Sequence, residues 1–279
     1  FFSSVALTLL QGARRPSVGI LVDLPRLTPA EFWELEQLNV KVMPKSEDVY
    51  ARLIDLLRNE GYDVHLYDSK TETPGTEDVL IYIQPWLISP AVRETLGRRL
   101  RDGGKVIIAA QHYRMQARKY PGHAYAMVYW PQPQFSRINE FLEPYGVELV
   151  KEVFLDQSKA PTASHEQINW GAYRKEERRA PEAQPFLIRA IPENFAKDSP
   201  ITARLSDLLF VWGNRWRKHP GAFPPALEWK PLVSSSKDAW AIDWQGGFLS
   251  PDDLREGNYF DHPQPLVVEV AGRFPWGTG

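Results

Sequence analysis

The sequence predicts an α/β fold, mainly a parallel sheet flanked by helices, and three observations carry that prediction. Strand-like and helix-like segments alternate through the first 110 residues. Each strand candidate is nearly all apolar, as strands covered on both faces are. The helix candidates start and stop with recognisable caps. Apolar strands joined by helices make βαβ units and hence a parallel sheet.

Phe2 to Leu10 is apolar but too short to separate a helix from an entry strand. Ser17 to Asp23 is an apolar run ending in Asp, a buried strand. Thr28-Pro29-Ala30-Glu31 opens a helix ending near Leu38: a Thr cap, proline in the first turn and a capping-box Glu. Ser46 caps the clearest helix, in which Val49, Leu53, Leu56 and Leu57 form the apolar stripe and Gly61 the stop. Val64 to Tyr67 and Val79 to Ile83 are the next strands, and Ser89-Pro90 starts a helix carrying Val92, Leu96 and Leu100. Asp102-Gly103-Gly104 ends it, and Lys105 to Ala110 is a further core strand.

The pattern is lost from Gln111 to Phe135, where Pro121, Pro131 and Pro133 suggest a long connection. Phe135 to Leu142 is a short helix closed by Pro144-Tyr145-Gly146, and Val147 to Leu155 reads as one strand. Residues 156–185 are polar. Leu187 to Ile191, Leu208 to Trp212, Trp229 to Ser234 and Leu266 to Ala271 are later strands, and the last is apolar enough to rejoin the parallel sheet. The organisation predicted is an α/β core over 1–155, continued over 156–279 by a loop-rich, Trp- and Pro-rich lobe that returns strands to the sheet.

Composition narrows the function. The net charge of −2, from 33 basic and 35 acidic residues, provides no field for nucleic acid. With no cysteine, disulfides, thiolate metal sites and thiol nucleophiles are excluded. No apolar run approaches the ~20 residues of a membrane span. The chain begins with Phe rather than Met and reads as a piece of something longer.

No phosphate-binding glycine loop, serine elbow or zincin pair is present, since Asn169 stands where a second His would follow His165-Glu166. No metal or cofactor is expected. The carboxyl edge of the sheet, where open parallel sheets bind ligands, should carry Asp23, Gln84, Trp86, Gln111 and His112, with Tyr113 beside them. These residues read either as a binding crevice or as loop residues bonding nearby backbone. Asp261-His262 reads as a turn before Pro263, and Asp252-Asp253 as helix-start chemistry after Ser250-Pro251. Trp212, Trp216, Trp229, Trp240 and Trp244 are either sugar-stacking faces or core filler. Arg93, Arg98, Arg99 and Arg101 read as a solvated helix face.

Taken in order, the segments resemble a known family. Val18-Gly19-Ile20-Leu21, Glu60-Gly61-Tyr62-Asp63-Val64, Asp78-Val79-Leu80-Ile81 and Leu100-Arg101-Asp102-Gly103-Gly104-Lys105-Val106 carry its first half. Leu142-Glu143-Pro144-Tyr145-Gly146, Ser199-Pro200-Ile201-Thr202, Leu232-Val233-Ser234 and Pro265-Leu266-Val267-Val268 continue it. They are similar to the extracytoplasmic domain of GldG-like, gliding-motility-associated ABC-type transport auxiliary proteins. The resemblance covers nearly the whole chain, with Ser199 where relatives often have His.

What the resemblance implies is a three-layer glutamine-amidotransferase-like or flavodoxin-like architecture without the catalytic Cys. It implies a non-catalytic domain on the periplasmic face of the cytoplasmic membrane, anchored through segments outside this chain. Partners would be ABC permease and ATPase subunits on other chains, with a glycan or peptide as possible cargo. The alternative is a periplasmic or secreted enzyme or carbohydrate-binding module using His112 or Asp261/His262. For the transporter reading the expected partner surface is the carboxyl edge of the sheet with the 111–135 connection, rich in Tyr, Met and Trp; the alternative is that this connection folds back and covers the sheet.

Overall fold

The computed structural model describes residues 15–22, 46–69, 72, 74–85, 88–119, 127–134, 136–156 and 185–275. The chain divides into two compact units, Phe1–Ala110 with Ser136–Phe141 and Arg273–Gly279, and Gln111–Phe135 with Leu142–Gly272. The sequence-predicted segments Phe2 to Leu10 and Thr28 to Leu38 lie outside the described residues.

In the first unit run β1 (Ser17–Val22), α1 (Ser46–Asn59), β2 (Asp63–Asp68), β3 (Val79–Ile83), α2 (Pro90–Arg101) and β4 (Lys105–Ala109). The strands form one sheet in the order β2-β1-β3-β4, every pair parallel. The core strands are thus where apolar runs predict them. Side chains alternate across the sheet. On one face Val18, Ile20, Val22 and Val64 pack with Ile54, and Tyr50, Leu53 and Leu57 of α1 close over them. On the other, Leu21, Leu80 and Tyr82 are fully buried. Leu56, counted in the predicted stripe, instead points outward at 57% exposure. The buried stripe follows 50, 53, 54 and 57, a truer 3.6-residue face.

The cap of α2 is as the sequence predicts. Ser89 Oγ accepts the Val92 N–H at 3.2 Å, Pro90 opens the helix, and Gly103 sits at φ +79° after its end. Arg99 is not merely a solvated cation: its guanidinium donates to the carbonyls of Glu77 and Lys105, tying the helix end to the sheet's starting edge. Ser89→Ala is expected to cost about 1 kcal/mol in urea unfolding. A loss below about 0.3 kcal/mol would show that proline and packing alone start the helix.

The second unit is built of antiparallel pieces. They are β5 (Tyr113–Lys119) and β6 (Met127–Pro133), then, after α3 (Ile138–Leu142), which up to Phe141 belongs to the first unit, β7 (Val147–Leu149), β8 (Val153–Asp156) and β9 (Leu187–Ala190). Next come β10 (Leu208–Val211), β11 (Trp216–Lys218), β12 (Leu227–Ser234), β13 (Ala239–Ile242), β14 (Asn258–Tyr259) and β15 (Pro265–Gly272). The pairings are β5-β6, β7-β11, β9-β10, β12-β15 and β14-β13-β8.

Three expectations change here. First, the 111–135 connection contains a hairpin. The bond from Gln134 N–H to His112 O fixes the parity, so the N–H positions of Pro131 and Pro133 face away from β5. Proline is tolerated on such an outward edge, where Tyr129, two residues earlier, exchanges its backbone bonds with Leu249 instead. Second, Val147 to Leu155 is two strands in two sheets. Glu152 N–H turns back to Val150 O, and Asn214 Nδ2 donates to both Val150 O and Glu152 O, which breaks the ladder. Third, β15 does not rejoin the parallel sheet among the described residues; it pairs with β12. Glu269 interrupts its apolar run, and most of the strand is only half-buried, so it needs no cover on both faces.

Of the tryptophans, Trp240 fills the core and Trp212 and Trp244 are half-buried against it. Trp240 is 1% exposed and stacks on Tyr259, while Trp244 meets Tyr113 edge-on and Trp212 lies along Phe186. Among the described residues no helix is long and apolar enough to cross a membrane.

Candidate functional site

The residues expected at the carboxyl edge fare differently. Asp23 and Trp86 lie outside the described residues. Gln84 follows β3 in a left-handed conformation, φ +46°, with its N–H donating to Ala109 O at 2.7 Å. A non-glycine residue held there costs free energy, and such strain clusters at functional positions.

Gln111, His112 and Tyr113 open the second unit and do not converge. Gln111 is half-buried. His112 is 6% exposed, and its Nε2 lies 2.9 Å from Leu149 O, so the ring nitrogen donates. Its backbone N–H donates to Asn214 Oδ1 at 2.9 Å. Tyr113, next along an extended backbone, points elsewhere, into a cluster with Met115, Leu155 and Trp240. Tyr113 and Met115, offered by the sequence as partner-facing, are thus core.

Burial pushes the His112 imidazole below its ordinary range; the bond to Leu149 O opposes this, Lys151 adds to it, and Glu148 works against it. A depressed folded value means the unfolded chain binds the extra proton. Stability should therefore hold above about pH 6.5 and fall as the pH drops below it, by at most about 1.4 kcal/mol per pH unit. His112→Gln, which keeps a donor for Leu149, should flatten that slope between pH 7 and 5. Equal slopes in urea titrations of both proteins would assign the acid sensitivity to other groups.

Asp261 and His262 lie in an exposed turn, with His262 O accepting from Gln264 Nε2 at 2.9 Å. Ser250 and Asp253 form a reciprocal box, Asp253 N–H to Ser250 Oγ at 3.1 Å and Ser250 N–H to Asp253 Oδ2 at 2.6 Å, the start of a short 3₁₀ turn. His165 and Glu166 lie outside the described residues.

A cleft of about 450 Å³ opens at the opposite, amino edge of the parallel sheet, lined by Arg15, Ser17, Asp63, His65, Thr76 and Glu77. Ser17 and Asp63 are register partners at the starts of β1 and β2, and Gly19 and His65 are the next pair on the same face. Glu77 lies across Gly19: a Cβ there would come within 3.3 Å of its Cγ and Cδ. Tyr67 donates its hydroxyl to Glu77 Oε1, and burial, the Glu77 bond and the Glu77 charge all hold the phenol above its ordinary range. Glu77 itself is 8% exposed, and its Oε2 is buried without a hydrogen-bond partner.

The cleft places a serine, a histidine and an aspartate together, but not as a nucleophilic triad. Ser17 Oγ donates to Asp78 Oδ2 at 3.0 Å and accepts the Asp78 N–H at 3.1 Å. That hydroxyl is engaged by backbone-fixing bonds, while His65 pairs with Asp63 at 3.2 Å. The arrangement suits binding of polar groups rather than acyl transfer. The sequence held two signals for it: Asp63 and His65 alternate on one face of β2, and Gly19 interrupts an apolar strand.

A family model described as "ABC-type uncharacterized transport system" matches residues 15–276. No curated protein matches the chain. Among solved structures, a ThuA-like protein from Bacteroides uniformis is 13% identical, over 85% of this chain and 77% of that one, with a TM-score of 0.38.

Proposed function

The chain belongs to the ABC-type uncharacterized transport system family, and from that premise we propose that it is a non-catalytic auxiliary domain of an ABC transporter, working on the periplasmic face of the cytoplasmic membrane. The observation that carries the reading is the match over residues 15–276. The domain binds partner or cargo, and the permease and ATPase are other chains. Within the family it sits with the GldG-like, gliding-motility-associated proteins its motifs resemble, on an amidotransferase-like or flavodoxin-like scaffold. The strand order β2-β1-β3-β4 supports that scaffold, since it is the beginning of the flavodoxin-like order.

The side chains support binding over catalysis. His112 is buried against a carbonyl, and the aromatic faces of Trp240, Trp244 and Trp212 are packed on other rings. Of the enzyme alternative's candidates this leaves Asp261 and His262, which lie in an exposed turn.

Co-expression with ABC permease and ATPase genes from the same genome, followed by detergent extraction and affinity purification of the protein, tests the reading. A complex of all three is the expected outcome. Purification of the chain free of both partners, or turnover of peptidase or glycosidase substrates, would overturn it. Placement is checked separately: a reporter that works only outside the cytoplasm should be active when fused to the product of the full gene.

A further inference from the structure

We propose that the amino-edge cleft of the parallel sheet binds a cationic nitrogen, an ammonium or guanidinium group carried by a small molecule or by a basic side chain of a peptide. The inference stands on the cleft itself and not on the transport assignment.

Glu77 is the centre of the site. Its carboxylate is more than nine-tenths buried in the wall of the cleft, one oxygen takes the Tyr67 hydroxyl, and the other has no partner. A buried acceptor left unpaired is costly, and a buried carboxylate more so than a neutral group. The Tyr67 hydroxyl holds the carboxylate through Oε1, and the glycines on either side leave it room. Gly19 leaves room for its stem, and a Cβ at Gly75 would come within 3.1 Å of Oε1. A cationic N–H donor is the group that satisfies both the charge and the free lone pairs.

The surrounding charges leave the counter-ion open. Arg15 lines the same cleft, yet no salt bridge joins it to Glu77 among the described residues. The Arg99 guanidinium donates to the Glu77 carbonyl. His65 is held by Asp63, whose carboxylate stands exposed at the cleft. Asp63 is thus the exposed carboxylate of the cleft and Glu77 the buried one, with Arg15 lining it beside them. The volume, about 450 Å³, suits a small ligand or one long side chain rather than a macromolecular face.

Calorimetric titration of the whole chain tests this with two probes. One is agmatine; the other is a blocked Gly-Lys-Gly peptide, with its Nε-acetylated form as the neutral control. Saturable binding of at least one cationic probe, with a Kd on the order of 1 mM or tighter, is expected, and Glu77→Gln should weaken it about tenfold or more. Agmatine alone binding points to a free small molecule, and the peptide alone to a basic side chain. No saturation by either probe below about 10 mM overturns the proposal, as does equal affinity in wild type and Glu77→Gln. Should Glu77→Gln not fold, Asp63→Asn at the exposed position should still weaken binding about threefold. The Ser17 and Thr76 amide resonances of the wild type should then move on titration; if they stay fixed, the cleft is not the site.

Discussion

Gly146→Ala is expected to destabilise the second unit by about 3 kcal/mol or more, and Gly146→Val further still. Gly146 closes the 3₁₀ turn Glu143–Tyr145 in a left-handed conformation, φ +63°, with its N–H donating to Glu143 O and its carbonyl accepting from His219 N–H. A side chain there meets two separate costs. The backbone conformation alone costs about 1 kcal/mol for a residue with a Cβ. A Cβ would also lie 2.5 Å from Phe223 N and 2.6 Å from Ala222 C, which are backbone atoms and not the yielding end of a side chain. Gly61 separates the two costs, because it stands at φ +91° with nothing within 4 Å of its Cβ position. Gly61→Ala should lose only the conformational part. Equal losses for the two variants in urea unfolding would mean that the Phe223 segment does not approach Gly146 as described.

The parallel sheet was legible because its signals are local. Apolar runs of five or six residues, a Ser-Pro cap and glycine stops each specify their own element without knowledge of the rest, and local agreement of this kind is what a foldable sequence carries. The second unit was harder to read because its strands are short and its order is set by contacts distant in sequence. Asn214 is the clearest instance. One side chain breaks the Val147 to Leu155 run into two strands by taking two of its carbonyls, and it binds the His112 N–H as well. No window around either segment contains that information. The hairpin over 113–133 was hidden for a different reason: prolines argue against strands unless their missing N–H faces an open edge, and which edge is open depends on register.

The candidate site shows the same division. The sequence pointed to the carboxyl edge because the fold class alone favours it, and Gln84 keeps a strained backbone there. The amino-edge cleft depends on Glu77 lying back across Gly19, a contact between a loop and a strand far apart in sequence. Alternation of Asp63 and His65 marks one face of an edge strand as polar, but it does not say that a buried carboxylate waits beside it.

Arg215→Met is expected to cost the second unit about 3 kcal/mol, while the pair of changes Arg215→Met with Glu152→Leu should recover most of that loss. Arg215 meets Glu152 through two bonds, Nε to Oε1 and Nη2 to Oε2 at 3.2 Å, and both side chains are only 14% exposed. Nη1 reaches Gln264 Oε1 at 3.4 Å, and the guanidinium lies 4.8 Å over the Phe260 ring. Removing the cation leaves Glu152 desolvated with its charge uncompensated, which is worse than having neither charge. Methionine keeps much of the arginine stem's volume beside Phe260, so packing loss is small and the electrostatic part dominates. A double-mutant cycle measures the coupling, which should be about 2 kcal/mol or more for a pair this enclosed. A single-variant loss under about 0.5 kcal/mol would put the pair with exposed surface bridges, and Asn214, rather than the ion pair, would then be what fixes the Val150 to Glu152 turn.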